Sequence, residues 1–191
     1  DGSTDRTVQI LEKEEGVELM HRDTRAGKAA AMNRAMKTVD SEVVVFCDAN
    51  TELEKGAIRH IARHYQDPLV GGVSGEKRVR KTGDAALAGS GEGLYWKYES
   101  TLKKLDSELW TIVGAAGELV SFRTSLWQDL EEDSILDDFM MSMRIAAKGY
   151  RFIYEPEAYA IESPSADIRE ELKRKVRIAA GGWQSMSRLA F

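Results

Sequence analysis

Amphipathic segments and short apolar runs alternate along the first part of the chain. Residues 43–47 read Val-Val-Val-Phe-Cys, an unbroken apolar run that is typical of a strand buried on both faces of a parallel sheet. The alternation of helices and strands predicts right-handed βαβ units. Helices are predicted over residues 3–14, 27–39 and 54–66, and strands over residues 17–20 and 43–47.

The second half of the chain is richer in glycine and has longer helical segments. Gly149 follows a helical pattern at the position where glycine is favoured, which marks the end of that helix. No repeat and no linker-like stretch interrupts the pattern, so residues 1–191 are predicted to form one domain. Strands are predicted over residues 70–79, 110–113, 118–122, 150–154 and 158–161, and helices over residues 85–105, 137–148 and 166–189.

The composition excludes several classes of protein. The chain has 191 residues, of which 42% are apolar and 31% charged, so it can fold around a core. Its formal net charge of −5 argues against general binding to nucleic acid. No apolar run approaches the length of a membrane-spanning helix, and the single Cys47 allows no intramolecular disulfide. The chain begins inside a turn-like motif rather than at a Met, as expected of a piece of a longer protein.

Two oxygen-bearing side chains, Asp48 and Asn50, follow the apolar run at residues 43–47. Open α/β sheets bind their ligands at the carboxyl ends of the strands. Side-chain oxygens one residue apart suit a hard cation, Mg²⁺ or Mn²⁺, bound together with substrate phosphates. The same residues are also typical of an Asx turn after a strand. On this stretch alone both interpretations stay open.

Charged residues in three further places are candidates for chemistry. Asp137 and Asp138 open a helix, where acids are favoured by the helix dipole; crowding by like charge would also raise a carboxyl pKa and suit a general base. Lys28 lies at a helix N-terminus, where backbone N–H groups and its ammonium could bind phosphate. Arg174 and Arg177 share a helix face, which could bind a diphosphate or simply be solvated.

The order of these motifs resembles that of the family 2 glycosyltransferases. The end of the chain, Arg174-x-x-Arg177-Ile178, is similar to the Gln-x-x-Arg-Trp motif of the membrane-associated branch that makes polysaccharides. The resemblance implies the GT-A fold, an α/β fold with a mainly parallel sheet flanked by helices. The matching motifs are, in chain order, Asp1-Gly2-Ser3-Thr4-Asp5, Gly27-Lys28-x-x-Ala31-x-Asn33, Asp48-x-Asn50 and Asp137-Asp138.

The resemblance also implies an activity and the residues that serve it. The implied reaction moves a sugar from a nucleotide-sugar, a UDP-sugar, to a saccharide or lipid-linked acceptor hydroxyl, with inversion and with Mg²⁺ or Mn²⁺ as cofactor. The segment 113–118 corresponds to the loop near the acceptor. The implied roles are nucleobase contact for Asp1, nucleotide contact for Lys28, ribose and diphosphate contact for Asp48, metal binding for Asp48 and Asn50, catalytic base for Asp138, and diphosphate binding for Arg177. Arg174 is a further candidate for the diphosphate because it shares a helix face with Arg177.

Three departures from the family pattern limit what the resemblance implies. Asn50 stands where an acid is usual, which lowers the expected metal affinity. Arg174 and Ile178 replace the Gln and Trp of the last motif, so processive synthesis is not implied. The first strand, helix and second strand of the fold would precede residue 1. Part of the nucleotide pocket is therefore expected to lie outside these residues.

The predicted final helix has an apolar stripe with basic residues beside it. The stripe can pack on the domain, or it can lie along a membrane surface. The resemblance implies that the full-length protein works at the cytoplasmic face of a membrane, with spanning helices flanking this domain. The stripe consists of Ile168, Leu172, Val176, Ala179, Ala180 and Trp183.

Two other functions stay open on the sequence. One is that of a sugar nucleotidylyltransferase, whose glycine-rich loop would lie before residue 1; the acids at residues 137–138 and the arginines of the last helix favour transfer over it. The other is that of a non-catalytic nucleotide-binding or scaffold module derived from a transferase, which the replacement at Asn50 favours.

Overall fold

The structure, a computed structural model, describes residues 1–80, 90–163 and 168–189. A five-stranded sheet lies at its centre. The strands are β1 Val43–Cys47, β2 Thr51–Leu53, β3 Val70–Val79, β4 Leu119–Arg123 and β5 Arg151–Glu162. Their order across the sheet is β1-β4-β3-β5-β2.

Helices flank this sheet. The predicted helix starts at residues 85 and 166 lie outside the described residues. Within the described residues, no helix is long and apolar enough to cross a membrane. The helices are α1 Thr7–Leu11, α2 Lys28–Met36, α3 Ala57–Ala62, α4 Ser90–Leu109, α5 Asp137–Ala147 and α6 Ile168–Arg188, with 3₁₀ turns at Arg63–Gln66 and Thr124–Leu126.

The strand directions differ from the prediction. In the described sheet only β3 and β5 pair in parallel, whereas the pairings β1–β4, β3–β4 and β2–β5 are antiparallel. The α/β class, with a sheet flanked by helices, is confirmed, but a mainly parallel sheet is wrong for these strands. The reason is that β4 enters between β1 and β3 with the opposite direction. Local periodicity indicates where strands are, but not which strand inserts between two others.

β1 is an outermost strand of the described sheet. It pairs with β4 from Val43 opposite Arg123 to Cys47 opposite Leu119. Four of its residues are only partly buried and Cys47 is exposed, so the predicted burial on both faces is wrong. An apolar run shows that a strand can be buried, but its actual burial depends on what covers it in the fold.

Three other predicted strands also differ. Residues 17–20 and 110–113 form no regular strand. The two strands predicted over residues 150–161 are one continuous strand, β5, in which residues 156–158 bulge out of the pairing with β3. Pro156 lies in this bulge, where its missing N–H removes no ladder hydrogen bond.

Two apolar clusters attach helices to opposite faces of the sheet. Phe152 and Ile153 are neighbours on β5 and therefore point to opposite faces, one into each cluster. Because α2 and α5 both pack in the first cluster, their N-termini come together beside the end of β1. The first cluster contains Met32, Met36, Phe122, Met140, Met141, Ile145 and Phe152, and the second contains Ala57, Ile61, Val70, Val73, Leu119 and Ile153.

Candidate active site

One ion-pair system joins the start of α2, the end of β1 and the start of α5. The Nζ atom of Lys28 lies 3.1 Å from Asp48 Oδ1 and 3.3 Å from Asp137 Oδ2. Burial alone would lower the pKa of Lys28, but the carboxylates of Asp137 and Asp48 raise it above its ordinary value. Lys28 is therefore cationic and brings together acids that lie far apart in the sequence.

Asp138, the predicted base, lies in the first turn of α5. Burial and the adjacent carboxylate of Asp137 raise the pKa of Asp138 to about 6, against the lowering effects of the Phe139 N–H and the Lys28 ammonium. The Phe139 N–H donates to Asp138 Oδ1 at 2.8 Å. A carboxyl group with this pKa is mostly ionised at neutral pH and is a stronger base than an ordinary aspartate, which suits it to accept a proton from a hydroxyl.

The glycine-rich loop of residues 114–117 lies against this base. A Cβ at Gly117 would come within 2.7 Å of Asp138 Oδ2, so glycine leaves the room that the carboxylate occupies. The loop is tied to β3, because the Ala116 N–H donates to the Ser74 hydroxyl at 2.9 Å and Ser74 is fully buried. The segment that the resemblance assigns to the acceptor is therefore in contact with the predicted base.

Asp1, the predicted nucleobase contact, is engaged within the protein. Its Oδ2 accepts hydrogen bonds from the backbone N–H groups of Ala26 at 2.7 Å and Gly27 at 2.9 Å. Its Oδ1 accepts a hydrogen bond from Arg34 Nη2 at 3.3 Å. Asp1 thus holds the turn before α2, where Gly27 has a φ of +95° that favours glycine. Its contact with a nucleobase stays a prediction.

Asn50 is part of a charged network that sequence reasoning missed. Its Nδ2 donates to Glu162 Oε1 at 2.9 Å, and Glu162 pairs through its other oxygen with Lys77. Lys77 also pairs with Glu118 at 2.6 Å. Burial would raise the pKa of Glu118, but Lys77 lowers it below its ordinary value. The sequence feature that could have indicated this network is the position of its charged residues. Lys77 and Glu162 lie near the ends of apolar strands, and Glu118 immediately precedes one.

The oxygens at the end of β1 fit a divalent cation that arrives with a diphosphate. The side-chain hydrogen bonds of these residues use Asp48 Oδ1 and Asn50 Nδ2, which leaves Asp48 Oδ2 and Asn50 Oδ1 without a protein partner among the described residues. No three acidic, His or Cys side chains in the described ranges are grouped closely enough to hold a metal by themselves. Mg²⁺-type sites commonly use one or two protein oxygens and complete their shell with substrate phosphates and water.

The two predicted diphosphate ligands on α6 differ in their surroundings. Arg174 is partly buried and donates from Nε and Nη2 to Glu171 at 3.0 and 2.8 Å. The hydrogen bonds to Glu171 raise the pKa of Arg174, and the carboxylates of Glu118 and Glu162 raise it further. This guanidinium is therefore close enough to the charged network to interact with its two glutamates. Arg177 is exposed. Its contact with a diphosphate stays a prediction.

The second half of α6 holds the segment that leads into α5. The Ile135 N–H donates to Gln184 Oε1 at 3.0 Å, and Gln184 Nε2 donates to the Asp133 carbonyl at 3.0 Å. Arg188 Nη2 donates to both oxygens of the Asp133 carboxylate, at 2.9 and 2.7 Å. A Cβ at Gly181 would lie 2.6 Å from Leu136, so the two segments are in close contact. The helix that carries both arginines therefore also anchors the segment before the predicted base.

Two apolar stripes face outward. On α6, Leu172, Val176 and Trp183 have exposed fractions of 64%, 62% and 75%, so packing of the predicted stripe on the domain is wrong for these residues. The side chain of Ile168 is outside the described set. A second stripe on α4 recurs at helical spacing and is also exposed; it consists of Tyr98, Leu102, Leu105 and Leu109.

Comparison with known proteins identifies relatives of the whole chain. The chain is 26% identical over 196 aligned residues to the poly-beta-1,6-N-acetyl-D-glucosamine synthases of Staphylococcus aureus (strain COL) and Staphylococcus epidermidis. The alignments cover 98% of this chain and 47% of each synthase. The chain thus spans about half the length of the curated relatives it matches.

Solved structures share the fold at lower sequence identity. The mannosyltransferase PcManGT of Pyrobaculum calidifontis, in complex with GDP-Man and Mn²⁺, matches with a TM-score of 0.79 and 24% identity over 97% of this chain and 52% of its own. TarS 1-349 of S. aureus, in complex with UDP-GlcNAc, matches with a TM-score of 0.58 and 19% identity over 86% of this chain and 48% of its own. These likenesses confirm the GT-A fold.

The family itself follows from a direct match. The model of the family described as "Glycosyl transferase family 2" matches residues 1–130, which is more than half of the chain. The motifs at residues 1–5, 27–33 and 48–50 lie within this range, and the motifs at residues 137–138 and 174–178 lie beyond it. The chain belongs to glycosyl transferase family 2, a family of glycosyltransferases with the GT-A fold.

Proposed function

We propose that residues 1–191 form a catalytic domain that moves a sugar from a nucleotide-sugar to an acceptor hydroxyl with inversion. The observation that carries the proposal is the carboxyl of Asp138, whose pKa burial and Asp137 raise to about 6, in contact with the glycine loop and beside the Lys28–Asp48 ion pair. This arrangement supports a site in which Asp138 acts as the base and the Lys28 ammonium binds phosphate.

Each residue of the site has a part in the proposed reaction. Asp138 accepts the proton of the acceptor hydroxyl as its oxygen attacks the anomeric carbon from the face opposite the leaving group, so a single displacement inverts the configuration. Lys28 and Arg174, with Arg177, stabilise the charge that develops on the leaving nucleoside diphosphate. Asp48 and Asn50 are the residues that would hold Mg²⁺ or Mn²⁺, and the ion would supply further neutralisation of the same charge.

We propose UDP-N-acetylglucosamine as the donor and a growing saccharide as the acceptor. The names of the relatives that align with 98% of this chain support N-acetylglucosamine as the sugar, and the family resemblance supports uridine as the base. A lipid-linked acceptor is the alternative. The Asn50–Glu162 hydrogen bond keeps the amide oxygen of Asn50 available to a cation, which supports metal use despite the missing acid.

We further propose that the full-length protein works at the cytoplasmic face of a membrane, with this domain against the bilayer surface. The exposed stripes of α4 and α6 support this placement, because apolar side chains exposed at helical spacing can enter the interface between headgroups and acyl chains. Lys173 and Lys175 flank the α6 stripe and would favour anionic lipids.

A donor screen on the full-length protein tests the proposed function. The protein is incubated with Mn²⁺, an oligosaccharide acceptor and UDP-N-acetylglucosamine, UDP-glucose or GDP-mannose, and transfer is measured by product mass. We expect transfer from UDP-N-acetylglucosamine, its loss in Asp138→Asn, and Mn²⁺-dependent UDP binding retained in that variant by calorimetry. Full activity of Asp138→Asn would refute the role of Asp138. UDP binding without transfer from any donor would instead favour a non-catalytic module.

A further inference from the structure

The family resemblance assigns no role to Asp137, although its carboxylate lies in the candidate site. Its side chain is only 14% exposed, and its Oδ2 lies 3.3 Å from Lys28 Nζ. Lys28 is shared, because Asp48 Oδ1 lies 3.1 Å from the same nitrogen. The ammonium therefore has one carboxylate on the donor side, at the end of β1, and one on the side of the base, at the start of α5.

The proposed function, on which this inference rests, needs Lys28 in that shared position. A cation and diphosphate arriving at Asp48 compete with Lys28 for the Asp48 carboxylate. With Asp137 as a second partner, Lys28 keeps an ion pair when Asp48 is engaged by the donor. Without Asp137, Asp48 is the one carboxylate paired with Lys28 among the described residues, and the ammonium loses its link to α5.

We propose that Asp137 is a positioning residue for the transfer: its carboxylate holds the Lys28 ammonium at the start of α5, within electrostatic reach of both Asp48 and the base Asp138. Asp137 does not contact the reacting atoms and acts through these neighbours. Asp137 also acts on the base itself, because its own negative charge lies next to the carboxylate of Asp138.

The charged groups around Asp138 come from three elements. Asp137 on α5 and Glu118 before β4 favour its protonated form, whereas Lys28 on α2 and the Phe139 N–H favour its ionised form. Removing the charge of Asp137 removes a raising effect that is larger than the lowering effect of Lys28, so the pKa of Asp138 falls even when the ammonium loses its link to α5. A weaker base then stays ionised to lower pH but accepts a proton less readily.

The test is the pH dependence of kcat/KM for transfer in the full-length protein, because kcat/KM reports ionisation in the free enzyme. The variants are Asp137→Asn, which removes the charge, and Asp137→Glu, which restores it. The control is Glu132→Gln, which neutralises an exposed acid a few residues before α5. UDP binding with Mn²⁺ is measured for each by calorimetry.

We expect the acid limb of the Asp137→Asn profile to move down by about one pH unit and the plateau to fall about tenfold. Asp137→Glu should recover most of both, and Glu132→Gln should match the wild type. An unchanged acid limb in Asp137→Asn overturns the inference, whether or not UDP binding weakens. Absence of transfer in the wild type instead overturns the proposed function, so the two failures are distinguishable.

Discussion

Replacing Asp138 with Asn should make the folded protein more stable at neutral pH, although it removes the proposed base. Burial and the adjacent Asp137 raise the pKa of the Asp138 carboxyl from 3.8 to about 6 in the folded state. The unfolded chain ionises the same group near its ordinary pKa. Asn is neutral at every pH, and its side-chain oxygen can still accept the hydrogen bond from the Phe139 N–H.

The size and sign of this effect follow from the two pKa values of Asp138. A difference of about two units corresponds to about 3 kcal/mol in the free energy of unfolding. Because the folded pKa is the higher one, the protonated group favours the fold below the unfolded pKa, and this contribution is lost as the pH rises through about 6. Asp138→Asn should therefore gain about 2–3 kcal/mol over the wild type above pH 7 and almost nothing near pH 4.

Urea unfolding followed by tryptophan fluorescence measures this difference across pH 4 to 8. Asp40→Asn is the matched control, because Asp40 is exposed and the same chemical change there removes no buried charge. A gain in Asp138→Asn that is absent at pH 8, or that does not grow between pH 5 and pH 8, would refute the reasoning. It would show that the carboxyl is not destabilised by burial and by Asp137.

Three further predictions test other parts of the structure. Gly117→Ala should lower kcat by at least about tenfold with UDP affinity retained, because the new Cβ displaces the Asp138 carboxylate; kinetics and calorimetry separate the two. Lys77→Met should cost about 3–5 kcal/mol in urea unfolding, because it leaves two partly buried glutamates without their shared cation. Trp183→Ser should weaken co-flotation with anionic vesicles and leave soluble UDP binding unchanged, and undiminished flotation would count against the proposed membrane contact.

Local chemistry made several elements predictable. The apolar run at residues 43–47 is a strand, and Gly149, with a φ of +86°, follows the end of α5 as its position indicated. Asp137 and Asp138 open α5, where acids are favoured by the helix dipole. These features depend on neighbours in sequence, and the sequence displays such neighbours directly.

Other elements were not predictable from local patterns. Nothing in residues 118–122 shows that β4 separates β1 from β3, and this placement makes the sheet mixed. The network of Asn50, Glu162, Lys77 and Glu118 joins two strands and two turns that lie far apart in the chain. Long-range pairings of this kind depend on packing rather than on spacing.

The sequence by itself determined the family, through the order of its motifs, and the residue types able to bind phosphate, to hold a cation and to act as a base. Only the tertiary structure decided how these residues are ionised and which of them meet. The pKa of Asp138 rises because the fold buries the residue beside Asp137, and Lys28 links Asp48 to Asp137 because α2 and α5 begin at the same place. Both outcomes depend on distances and on exclusion of water, which exist only once the chain has folded.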